Sequence, residues 1–157
     1  MMTAWSDYRA AFDQLLARAR YSLSIFDDDL ERLGLNELAR MEALRVFLTG
    51  DPGATIRIAL KQTGALRSNQ PRLLELLKSN SAALQIQQVH RNLHILRDTL
   101  VVADGAHALV RFDFGQPRAK LILDDKEEII PYQKRFDAIW KDGGRPFTAT
   151  TAGLSGR

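Results

Sequence analysis

The residues that could do chemistry crowd into one stretch, HRNLHILRDTLVVADGAHALVR, residues 90 to 111. It carries His90, His94 and His107, which are all three histidines of the chain, together with Arg91, Arg97 and Arg111. A neutral imidazole can attack phosphorus, move a proton or hold a metal ion. A guanidinium does none of these, because it stays protonated, but its planar fork matches phosphate and carboxylate oxygens. Of the three histidines, His94 is the candidate nucleophile, with Arg97 neutralising charge beside it. The blander reading of His94 is a half-buried strand residue with one hydrogen-bonded nitrogen.

His90 and His94 could pair on a metal only if the chain is helical there. "LHIL" reads as a strand, and four residues of strand separate two side chains by about 13 Å, too far to share an ion. H-E-x-x-H is absent, so the expected metal and cofactor content is none. Asp27, Asp28 and Asp29 stand in a row, and neighbouring carboxylates diverge. They read as solvated acids of a loop and helix start. Serine-hydrolase, P-loop and dinucleotide signatures are also missing.

These side chains need a scaffold. The chain has 157 residues, 45% hydrophobic and 26% charged, which suits one folded domain. It has no cysteine, which excludes disulfides and thiolate chemistry. No apolar run reaches the roughly 20 residues of a membrane span, and the first twenty residues lack the apolar core of a signal peptide. A cytoplasmic location is expected. The net charge of +3 is uneven, with the segment from Ala54 to Arg97 strongly basic. Such asymmetry fits an anion-binding face or a solvated surface.

Helical spacing of Trp5, Tyr8, Phe12, Leu15 and Leu16 predicts a first helix. Tyr21 to Phe26 alternates as a strand. A second helix is predicted from an Asn36 N-cap to Leu48, and "ATIRIALK" is the next strand. A helix opens at Pro71. "ALQIQQV", "LHIL", "TLVVAD", "HALVRFDF" and "AKLILD" follow as strands, with a turn at Asp104-Gly105. The segment from Asp124 to Trp140 is helical again, with Pro131 kinking it or opening its main part. Residues 1–141 form the domain, and residues 142–157 read as a flexible tail. The fold class is α/β, a mixed sheet with helices on both faces.

"ARYSLSIFDDDL", "ATIRIALK", "LVVADGAHALVR" and "AKLILDDKEE…YQKRFDAIW" stand in an order that resembles a single phospholipase D-like domain. The likeness runs from about Ala10 to Lys141 and extends to a poorly characterised bacterial branch without intact catalytic motifs. The resemblance implies a strand pair that carries H-x-K-x-x-x-x-D. In that family the histidine becomes phosphorylated, the lysine neutralises phosphate, and a second copy of the motif supplies the acid. If Asp104 holds the aspartate position, Arg97 and Thr99 hold the histidine and lysine positions, and Arg111 stands where a glycine is usual. If His94 is the nucleophile instead, Leu96 and Val101 replace the lysine and aspartate. Neither register preserves the set.

The reading that follows is a catalytically degenerate binding or interaction module. His94, Arg97, Thr99, Asp104 and Arg111 would line its groove and take a phosphate-bearing or other anionic ligand. Arg97 and Arg111 lie seven residues to either side of Asp104, so a tight hairpin would bring them together. Either a ligand phosphate or an internal carboxylate (Asp98, Asp104 or Asp113) would then separate their charges. An active phosphodiesterase or nuclease using His94 is the first alternative, and a nucleic-acid-binding module the second. A single motif copy also suggests a homodimer, and a protein partner is a further possibility.

Overall fold

A computed structural model describes residues 2–149. Its order is α1 (Trp5–Arg18), β1 (Ser22–Asp27), α2 (Leu38–Gly50), β2 (Thr55–Leu60), α3 (Leu66–Asn69), α4 (Pro71–Ser79), β3 (Leu84–Gln88), β4 (Thr99–Ala103), β5 (His107–Arg111), β6 (Ala119–Ile122), α5 (Lys126–Lys141) and β7 (Arg145–Phe147). Short 3₁₀ turns occupy Glu31–Leu33 and Arg91–Ile95. The strands form one sheet in the order β6-β5-β4-β1-β2-β3-β7, with β1 at its middle. β1, β2 and β3 are mutually parallel, while β4 runs antiparallel to β1. The α/β class and the mixed sheet are as the sequence predicts.

Side chains alternate across the sheet because successive residues of a strand face opposite ways. In β4, Val101 and Ala103 join the core that includes Phe12, Leu15, Leu44 and Leu73 from α1, α2 and α4. Leu100 and Val102 join Ile129, Phe136 and Ile139 of α5 on the other face. Strands buried on both sides become continuous apolar runs, which is why "TLVVA" carries no polar residue after its threonine.

Four local expectations change. "LHIL" is a 3₁₀ turn and not a strand. The reason is topological: β3 and β4 are separated by β2 and β1, so the intervening chain must cross about 14 Å of sheet end. It has no room to pair along the way. Asn36 does not cap α2, whose N-cap is Glu37 without a side-chain bond. Its Oδ1 instead accepts from the Arg72 amide at 2.9 Å, in the first turn of α4. Pro131 lies inside α5. The helix is opened by Asp125, whose carboxylate accepts from the Glu128 amide at 3.0 Å. Residues 145–147, read from sequence as part of a tail, pair antiparallel with β3. Of the same tail, residues 150–157 lie outside the described residues.

Candidate functional site

The crossing segment runs over the carboxyl ends of β1 and β2, and this is where the chemistry-bearing side chains gather. In open α/β sheets such strand ends, near a reversal of strand order, are the usual place for ligands. β1 ends in Asp27, whose register partner in β2 is Leu60, followed by Lys61. Because β4 runs opposite to β1, its first residue, Thr99, lies at the same end, facing Arg111, the last residue of β5.

Asp27 and Arg111 form an ion pair sealed from solvent. Arg111 Nη2 donates to Asp27 Oδ1 at 2.9 Å, and the two side chains are 1% and 2% exposed, respectively. The Asp28 amide donates to the same oxygen at 2.6 Å. The Tyr8 and Trp5 rings of α1 lie 4.7 and 5.2 Å from the guanidinium carbon. Asp27 Oδ2 and Arg111 Nε and Nη1 are buried without a partner among the described residues. Burial pushes the Asp27 carboxyl up from its ordinary range, against the pull of Arg111. The Tyr8 hydroxyl is pushed up as well, by burial first and then by the charge of Asp27.

Beside this pair, Phe114 is flanked by two cations. The Lys61 ammonium lies 4.4 Å from its ring centre and the Arg97 guanidinium 4.6 Å. Lys61 donates to the Leu96 carbonyl, which anchors the crossing segment. Its pKa is lowered, by desolvation above all. Arg97 is exposed and grips Asp113 bidentately, at 2.8 and 3.1 Å.

The five residues named from sequence are therefore not one groove. Thr99 and Arg111 face each other, and Arg97 lies close in sequence to Thr99, but both arginines already hold carboxylates. Asp104 sits at the opposite end of the hairpin. Its carboxylate accepts from the amides of Arg20, Tyr21 and Ser22 at 2.9, 2.9 and 3.0 Å, which ties the start of β1 to the turn. His94 is half-buried in the crossing segment, where it and His90 border one cavity with Arg91 and Arg145. The wide spacing expected of two strand histidines does not apply to this turn. Among the described residues no cluster of three or more His, Asp or Glu could hold a metal.

Asp27, Tyr8 and Lys61 were not singled out from sequence as site residues. Asp27 read as one of three solvated acids, whereas it is buried. Its signal was its place at the end of the apolar run "SLSIF". Tyr8 was legible only as a core residue.

A family model described as Domain of unknown function (DUF7931) matches residues 5–148. No curated protein matches the chain. Among solved structures, TrmBL2, described as an archaeal chromatin protein with a novel mode of DNA binding, is similar with a TM-score of 0.67 and 11% identity, over 92% of this chain and 52% of that one. The chain thus spans about half of that protein. NucT from Helicobacter pylori is similar with a TM-score of 0.56 and 11% identity, over 90% of this chain and 94% of that one. At such identities the likeness is one of fold.

Proposed function

We propose that this chain, which belongs to the DUF7931 family, a domain of unknown function, is a phospholipase D-like binding module that has lost catalysis and recognises a phosphate-bearing ligand. The observation that carries this reading is the state of the motif strand. Arg97 and Thr99 stand at the positions that the resemblance assigns to nucleophile and cation, and Arg97 is closed on Asp113. Arg111, at the end of the next strand, is closed on Asp27. A fixed guanidinium cannot form a phosphoenzyme. The likeness to NucT is compatible with the phospholipase D-like assignment. What remains for an anion is the crossing segment over the sheet end, where Arg91 is exposed and has no ion-pair partner among the described residues.

Turnover of an activated diester such as bis(p-nitrophenyl) phosphate tests the loss of chemistry. The expected rate is that of buffer. Turnover that vanished in a folded His94→Ala variant would restore the active phosphodiesterase reading.

Nucleic acid is the second reading, favoured by the DNA binding named for TrmBL2. It needs no different site, since a nucleic-acid strand presents phosphates and most such contacts are to backbone. We also propose a homodimer with the sheet ends near its two-fold axis. Ile95 and Phe112, on loops at this end, are 81% and 47% exposed, and a second copy would cover them.

A further inference from the structure

We infer that the cavity bordered by His90, Arg91, His94 and Arg145 is a binding site for a terminal phosphate monoester. This deepens the phosphate-binding reading above by placing the phosphate away from Arg97 and Arg111. The cavity measures about 410 Å³. That is within the range of small-ligand pockets and leaves room for a sugar-sized group behind the phosphate.

Its walls are built by the fold. One is the crossing segment, which presents His90, Arg91 and His94. The other is the turn between α5 and β7, where Arg145 pairs with Gln88 at the end of β3. That turn closes tightly. A Cβ on Gly144 would fall 2.5 Å from the Gln88 carbonyl oxygen, and Gly143 has φ +83°. Glycines at both positions allow the turn to wrap around the strand end and bring Arg145 to face the histidines.

The charge balance identifies the ligand. Among the described residues no carboxylate lines the cavity itself, and Asp28 exerts a carboxylate influence on His94. Neither Arg91 nor Arg145 has an ion-pair partner among the described residues, in contrast to Arg40, Arg97, Arg111 and Arg135. Two guanidinium forks facing one space repel each other until an anion enters, and the imidazoles beside them can add N–H donors. A phosphate monoester carries close to two negative charges and three strong acceptor oxygens at neutral pH, enough for two forks at once. A diester phosphate carries one charge and fewer free oxygens. Among the described residues no Phe, Tyr or Trp lines the cavity, so only the smaller imidazole and guanidinium faces are there to meet a base. Recognition rests on the phosphate, whether it ends a nucleic-acid strand or a small metabolite.

The test is calorimetric titration of the full chain at low salt with three probes: glucose 6-phosphate, a 5′-phosphorylated single-stranded oligonucleotide, and the same oligonucleotide without its phosphate. The phosphorylated oligonucleotide should bind at least tenfold more tightly than the unphosphorylated one. Arg91→Ala and Arg145→Ala should each weaken that binding about tenfold, and Arg45→Ala, on the surface of α2, should leave it unchanged. Both altered residues are exposed, so the variants should fold, which circular dichroism checks. Equal affinity for glucose 6-phosphate assigns the site to small esters, and a preference for the phosphorylated strand assigns it to nucleic-acid ends. Binding that ignores the 5′ phosphate, or that survives both substitutions, overturns this site while leaving phosphate recognition elsewhere on the protein intact. Absence of binding by every probe overturns both readings.

Discussion

Arg111 at the end of β5 reaches Asp27 at the end of β1 over 2.9 Å, past β4, which lies between their strands. The pair closes the centre of the sheet end, and it does so away from water. Breaking a buried pair by removing one partner leaves an uncompensated charge, at a cost of about 3–5 kcal/mol. Arg111→Met should therefore lower the unfolding free energy by roughly that amount at neutral pH. Urea denaturation measures it. A loss near zero would mean that the charges are solvated in solution.

The pair also has a pH signature. Burial raises the Asp27 pKa in the folded chain. A carboxyl that binds its proton more tightly when folded stabilises the fold most at low pH, and that contribution is lost as pH rises from the ordinary Asp value, about 3.9, through the raised one. The stability of wild type relative to Asp27→Asn should therefore fall as pH rises through that window. A difference that grew with pH would show that Arg111 outweighs desolvation and holds the pKa down.

Asp104 predicts a structural effect without a functional one. Its carboxylate caps the amides of Arg20, Tyr21 and Ser22, and its backbone sits at φ +59°. Asp104→Ala should cost about 1–2 kcal/mol, since the freed amides are partly within reach of water. Asp104→Asn, which keeps one acceptor oxygen and tolerates positive φ, should cost less. Thermal unfolding ranks the two, and ligand affinity should not change in either. An affinity loss would return Asp104 to the site.

Self-association has a simple readout. Light scattering at tens of micromolar should give a dimer, and Ile95→Glu should shift it toward monomer. A wild-type monomer at that concentration, or a dimer indifferent to Ile95→Glu and Phe112→Glu, would reject the proposed axis.

The elements were legible where sequence period and burial agree. "SLSIF", "TIRIAL" and "TLVVA" read as strands because each buries apolar side chains against one or both layers of helix. The Asp-Gly turn was legible too, yet its centre was misplaced by one residue. The hairpin is centred on Gly105, so Ala103 faces His107 and Thr99 faces Arg111. The same register carried two residues further sets Arg97 opposite Asp113, which explains their bidentate bond. Asp113 had been named as one possible counter-ion. Asp27 had not, because three acids in a row look solvated and its partner is 84 residues away. The crossing segment was misread for a related reason. Its apolar residues satisfy a strand pattern, and only the strand order shows that it has no neighbour to pair with.

The central claim is that the protein holds phosphate without cutting it. Incubating it at low salt with an end-labelled, 5′-phosphorylated single-stranded oligonucleotide and resolving the mixture on native and denaturing gels reads both halves at once. A shifted band on the native gel and a full-length strand on the denaturing gel are expected. A shortened strand, or no shift at any protein concentration, would contradict it.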